Sequence, residues 1–129
     1  MACGRSTRTL GIMKRLLAVC VACILGAACT PHVSEADAST LAREAAPLLQ
    51  RQAPARSLPS TSWPVSVAAL KPRAVYLRAE GLYIITSSFF TDERGVFVLN
   101  PTAGFSPTRG TDPSYEPVGH GVFVYRRAG

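Results

Sequence analysis

Ala74-Val75-Tyr76-Leu77-Arg78-Ala79-Glu80-Gly81-Leu82-Tyr83-Ile84-Ile85-Thr86-Ser87 reads as two strands and the turn between them. Both runs, 74–78 and 82–87, are rich in β-branched and aromatic residues, which suit a pleated, half-buried surface. Between them, Gly81 can supply a positive φ without the steric penalty of a Cβ. The flanking sequence continues the pattern. Asp92-Glu93-Arg94-Gly95 has the composition of a second turn, leads into Val96-Phe97-Val98-Leu99, and is followed much later by a last strand, Val122-Phe123-Val124-Tyr125. Residues 65–70, entered through Trp63-Pro64 and stopped by Lys71-Pro72, predict a short helix with proline at its first position.

Strand side chains alternate between two faces, so Phe97 and Leu99 oppose Val96 and Val98, and Phe123 and Tyr125 oppose Val122 and Val124. Both sets are apolar. At least part of the sheet must therefore be covered on both sides, by the short helix, by a helix upstream, or by another molecule. The upstream helix is expected over residues 34–50, where Leu41, Ala45, Leu48 and Leu49 fall on one stripe and Ser34 with Asp37 makes an N-terminal capping pair. Pro47 has no amide proton and crowds the preceding turn, so the helix is expected to end or kink near Ala46. Residues 51–62, with Pro54 and Pro59 and no apolar period, read as a linker or as a loop packed on the domain.

Twenty-two residues separate Leu99 from Val122, longer than most structureless connections. Prolines and glycines punctuate them, and Phe105, Arg109, Asp112, Tyr115 and His120 stand among these turn formers. Arginine and tyrosine are frequent interface anchors, which makes this loop the candidate binding surface, unless Phe105 and Tyr115 only staple it to the sheet.

Evidence of catalysis is sparse. Zinc needs three or four protein ligands, and after residue 29 the chain offers only two histidines, His32 and His120. His120 is a conceivable general base, but no serine stands out as its nucleophile and no acid as its orienter. Asp92 and Glu93 are adjacent, and in an extended chain adjacent side chains point apart. Gly119-His120-Gly121 feeds a strand rather than a helix, so it is not a phosphate-binding loop. No catalytic, metal or cofactor residue is assigned.

The other informative stretch lies near the start. Lys14-Arg15 precedes an uncharged apolar run, residues 16–25, and then the small residues Gly26, Ala27 and Ala28 ahead of Cys29. Those are the parts of an export signal. Thirteen helical residues from 16 to 28 would reach only about 20 Å across a hydrocarbon core about 30 Å thick, too short for a transmembrane span. The twelve residues before Met13 are read as sequence ahead of the true start. Leu25-Gly26-Ala27-Ala28-Cys29 resembles the bacterial lipoprotein signal, in which the cysteine thiol is acylated and the chain cut just before it. That pattern has leucine or a similar residue where this chain has Gly26, so cleavage without acylation, giving a soluble periplasmic or secreted protein, stays open. With acylation, Thr30 in place of aspartate implies, by resemblance to enterobacterial sorting rules, the outer membrane.

Removal of residues 1–28 changes the composition. Of fourteen basic residues, Arg5, Arg8, Lys14 and Arg15 leave, while all eight acids remain, so the net charge falls from +6 to +2. A basic balance therefore gives no ground for a nucleic-acid partner. Cys3, Cys20 and Cys23 leave too, and Cys29 alone cannot form an intramolecular disulfide. Cys20-Val21-Ala22-Cys23 matches a redox spacing, but inside an apolar run cysteine is a small hydrophobe.

The expected layout is a signal peptide over 1–28, a lipid-anchored tether with a short helix over 29–62, and a small domain over 63–129. That domain is α+β, with an antiparallel sheet of about four strands and one or two short helices. Trp63-Pro64, Gly81-Leu82-Tyr83-Ile84, Ser88-Phe89-Phe90, Gly95-Val96-Phe97-Val98 and Asp112-Pro113-Ser114-Tyr115 resemble a group of short proteobacterial secreted proteins and lipoproteins of uncharacterised function. The resemblance implies an envelope protein, its membrane contact made through the anchor, with an envelope protein as a second partner. The activity classes left open are a binding module, an assembly subunit, and a small hydrolase using His120.

Overall fold

The computed structural model describes residues 32–51 and 54–129. The leader over residues 13–29, Cys20, Cys23 and the acylation candidate Cys29 lie outside the described residues. The described chain is α+β. Helix α1 (Glu35–Gln50) comes first, then a two-residue strand β1 (Arg56–Ser57), a 3-10 turn (Ser60–Ser62) and a short helix α2 (Val65–Ala69). Strands β2 (Ala74–Arg78), β3 (Gly81–Phe89), β4 (Asp92–Leu99), β5 (Ser114–Gly119) and β6 (Val122–Arg127) follow. They form one open sheet in the order β1-β2-β3-β4-β6-β5, antiparallel throughout. Six strands replace the four expected from the sequence.

Two additional strands account for the difference. β1 pairs Arg56 with Leu77 and Ser57 with Tyr76, so residues 56–57 join the sheet rather than a free linker. Leu58 is buried beside them, and its carbonyl accepts the Trp63 indole N–H at 3.0 Å. β5 lies inside the long connection and carries Pro117, which lacks a donor; an edge strand tolerates that loss. The connection shrinks to residues 100–113. The second turn also moves: Phe90 and Thr91 make it, while Asp92 to Gly95 lie within β4.

Helix α1 begins as its sequence requires. The Ser34 hydroxyl accepts the Asp37 amide at 3.2 Å and the Asp37 carboxylate accepts the Ser34 amide at 3.3 Å, a reciprocal cap. Pro47 does not end it. The helix continues to Gln50 because Leu49, still on the apolar stripe, is buried against the sheet. Ala38, Leu41 and Ala45 are essentially inaccessible on the same stripe. They share a core with Val67 of α2 and with Val75, Leu77, Leu82, Ile84, Val96, Val98 and Val122 of the strands. Between the helices, the Glu44 carboxylate accepts the Ser66 amide at 2.8 Å and the Ser66 hydroxyl as well. The unit expected to open at Trp63 thus shares its core with a segment that starts at Val33.

The opposite face is aromatic. Tyr83, Phe97 and Phe123 lie in one cross-strand row, and Ile85, Gly95, Tyr125 and Tyr115 in the next. Glycine is required in that second row: a Cβ on Gly95 would strike the Ile84 carbonyl. Part of this face is covered by the chain itself, through Phe105 of the 100–113 loop, which meets the Phe97 and Tyr115 rings edge-on at 5.9 and 5.7 Å.

Candidate functional site

Period-two alternation brings three tyrosines to one spot on the aromatic face: Tyr83 from β3, Tyr125 from β6 and Tyr115 from β5. Ring centroids are 5.1 Å apart for Tyr83 and Tyr125 and 5.6 Å for Tyr115 and Tyr125. The Tyr83 hydroxyl donates to the Glu80 carboxylate at 3.0 Å and lies 3.1 Å from the Tyr115 hydroxyl. A phenol has one proton, so with Tyr83 donating to Glu80, Tyr115 must donate to Tyr83. The result is a directed chain, Tyr115 to Tyr83 to Glu80. The Tyr125 hydroxyl points to Glu93 at 3.5 Å.

Above this floor runs a groove of about 750 Å³, lined by Arg78, Tyr83, Phe105, Asp112, Tyr115, Tyr125, Arg127 and neighbouring threonines. The Arg78 guanidinium sits 5.2 Å from the Tyr83 ring centre, within reach of its negative face. Burial, reinforced by the bonds to Tyr115 and Glu80, pushes the Tyr83 phenol well above the ordinary tyrosine range. Burial and then the Glu93 charge push Tyr125 up to about 12. Both stay protonated at neutral pH. With their protons turned to Glu80 and Glu93, they can hold a ligand by ring contact and by accepting hydrogen bonds, and neither is poised as a base or nucleophile.

The residues picked out by sequence do not all meet here. Phe105, Asp112 and Tyr115 line the groove. Tyr115 belongs to β5 rather than to a loop, and is buried. Asp112 accepts the Ala128 amide at 2.9 Å, which ties the loop to the chain end. Arg109 pairs with Glu116 at 3.3 Å on the exposed surface, a bond that contributes little in water. His120 stands elsewhere. It holds the β5–β6 turn at φ 55°, lies 3.9 Å from Glu35 at the start of α1, and borders a second cavity of about 430 Å³. Ala42, Ala46, Leu49 and Val98 make that cavity mostly apolar. Among the described residues, no three histidine, cysteine, aspartate or glutamate side chains group as a metal site, and no helix is long and apolar enough to cross a membrane.

Comparison of the chain with protein-family models, with curated proteins and with solved structures finds no match in any of the three. The residues and their geometry carry the functional reading. Tyr83, Glu80, Tyr125, Arg78 and Arg127 are among the groove residues that sequence reasoning missed. The available signal was the alternation that sets Tyr83 with Ile85 and Phe123 with Tyr125. Which rows those pairs join depends on register between distant strands, and that is not written in any local stretch.

Proposed function

We propose that this protein is a bacterial cell-envelope lipoprotein, anchored through Cys29, whose folded unit binds a ligand rather than transforming one. The leader residues support the location. The observation that carries the binding reading is the groove with its floor of three tyrosines. It joins flat apolar rings and two arginines, over phenols whose protons are already held in a directed hydrogen-bond chain. Rings fixed beforehand on a sheet reduce the ordering that binding must impose. A ligand with a flat apolar face and an acidic group suits Arg78, Tyr83 and Arg127. A second reading, an assembly subunit, draws support from the sheet edge: β1 is an exposed edge strand of two residues, where an added strand could extend the sheet. A hydrolase reading would stand on His120, whose ionic partner is the exposed Glu35.

Two measurements test the proposal. The intact mass of the processed chain from fractionated cells should start at Cys29 and carry acyl mass in the membrane fraction, and Cys29→Ala should abolish both. An unacylated soluble chain would sink the anchor. A screen of small aromatic carboxylates, read by amide shifts in two-dimensional NMR, should move Tyr83, Tyr115 and Tyr125 together. Shifts confined to residues outside the groove would reject it as the binding site.

A further inference from the structure

The tip of the β3–β4 hairpin breaks the rule that governs the rest of the fold. Phe89 and Phe90 are 74% and 89% exposed, and their rings stack edge-on on each other at 4.6 Å rather than on the core. Phe90 holds φ 53°, a region that bulky residues seldom occupy and that glycine or asparagine would enter more easily. The turn therefore keeps an aromatic in a backbone position that does not favour it, with the ring in water.

The arginines beside the tip have no carboxylate partner among the described residues. Register sets Ser87 opposite Arg94 and Arg94 opposite Arg126, so these side chains share the face of Phe89, which pairs with Asp92. Two arginines directly opposite each other repel, and neither makes a salt bridge among the described residues. On the other flank, the Arg73 guanidinium reaches the Ser88 carbonyl at 3.4 Å. Three arginines thus lie on or next to the strands that lead to the two exposed rings, against one carboxylate on the face of Arg94 and Arg126, Asp92, which accepts the Gly129 amide. An array of anions would relieve their repulsion, and a low-dielectric layer would take the rings.

We infer that this tip docks on an anionic lipid surface, with Phe89 and Phe90 entering the headgroup region and Arg73, Arg94 and Arg126 meeting lipid phosphates. Size favours a membrane over a protein. Two phenyl groups offer at most about 400 Å², whereas an ordinary protein interface takes about 800 Å² from each partner. A convex aromatic wedge with a basic collar needs no matching pocket, only a layer that is apolar below and negatively charged at its surface. The inference does not depend on acylation of Cys29.

The test uses residues 29–129 with Cys29→Ser, which hold every described core residue from Val33 onward and cannot be acylated at position 29. Sedimentation with phosphatidylcholine vesicles is compared with vesicles containing about one-third phosphatidylglycerol. The chain should bind the anionic vesicles, and less so as salt rises. Phe89→Ser with Phe90→Ser should weaken that binding about tenfold or more. Arg94→Gln with Arg126→Gln should remove the preference for anionic lipid. Both double variants alter exposed side chains or an uncompensated pair, and urea midpoints equal to the parent's confirm that the fold is intact. No binding to anionic vesicles, or equal binding by the phenylalanine variant, overturns the inference. So does concentration-dependent self-association that the phenylalanine variant abolishes without any vesicle binding, because the tip would then be a contact between copies.

Discussion

Leu41→Ala asks whether α1 belongs to the folded unit. Leu41 is 1% exposed, and one turn away on either side the stripe carries Ala38 and Ala45, both fully buried. Those alanines let the helix backbone sit close to the sheet and leave no long side chain nearby on the stripe to swing into a void. Removing three carbons forfeits about 2.4 kcal/mol of transfer free energy at about 0.8 kcal/mol each. The unfilled space adds to that, so the total should reach about 3–4 kcal/mol. A domain of this size is stable by roughly 5–15 kcal/mol, and the variant should lose a large fraction of it. Urea unfolding followed by far-ultraviolet circular dichroism should show a lower midpoint at unchanged slope. Arg43→Ala, on the exposed side of the same helix, should stay within about 0.5 kcal/mol of the parent. If Leu41→Ala costs no more than Arg43→Ala, the helix is not docked, and the folded unit would begin near Trp63 after all.

Two further outcomes are expected. Gly95→Ala drives a Cβ into the Ile84 carbonyl and should cost about 3 kcal/mol or more, whereas Gly104→Ala, in open space but at φ 68°, should cost about 1 kcal/mol; thermal unfolding separates them, and equal costs would refute the strand contact. Stability should also plateau across neutral pH and fall on both sides. Tyr125, raised to about 12, and Tyr83, raised further, contribute stability that is complete below the unfolded tyrosine value of about 10 and is lost as pH rises through the folded one. Hydrogen bonds from Ser34 to Asp37 and from Ser66 to Glu44 lower those carboxyls, so their contribution is present above the unfolded values of about 4 and is lost as pH falls through the folded ones. Urea midpoints measured from pH 3 to pH 11 check both limbs, and Tyr83→Phe should flatten the alkaline one.

Sequence alone located the elements whose signals are local. The Val75/Leu77 alternation marks β2 and the Ser34–Asp37 pair the start of α1, whereas Gly81, expected to turn the chain with a positive φ, is the first residue of β3 and is needed there because a Cβ would strike the Val98 carbonyl. Sequence failed where tertiary context overrode composition. Pro117 and Gly119 made β5 look like loop, although an edge strand bears a proline and a bulge. Asp92-Glu93-Arg94-Gly95 has turn composition, yet it pairs with β3 and β6 because the two phenylalanines before it take the bend. The groove was half legible. Phe105 and Tyr115 stood out as aromatics in a polar stretch, whereas Tyr83 and Tyr125 join them only through the register of four strands. His120, close to Tyr115 in sequence, lies on the helix side because Gly119 and Gly121 turn the chain between them.

The aromatic residues of the sheet explain why a small domain can stand without a disulfide, and they sharpen the meaning of the exposed tip. A sheet with helices on one side and water on the other buries one side-chain set. Here Tyr83, Ile85, Phe97, Tyr115 and Tyr125 are buried on the second face as well, packed mainly on one another and capped by Phe105. That cap is fastened at both ends. The Asn100 amide donates to the Glu80 carbonyl at 2.9 Å, and the Tyr115 amide donates to the Thr108 carbonyl at 2.9 Å, so the groove wall is formed before any ligand arrives. The fold therefore buries Tyr83, Phe97, Tyr115 and Tyr125 and packs Phe105 and Phe123 against them. Phe89 and Phe90 extend beyond β2, whose register with β3 stops at Ile85, and beyond both helices. Among the described residues no core cluster includes them, and shortening the hairpin would remove them without opening a cavity. An anionic lipid layer would give the two rings the apolar contact, and the arginines at 73, 94 and 126 the opposite charge, that the described residues do not supply.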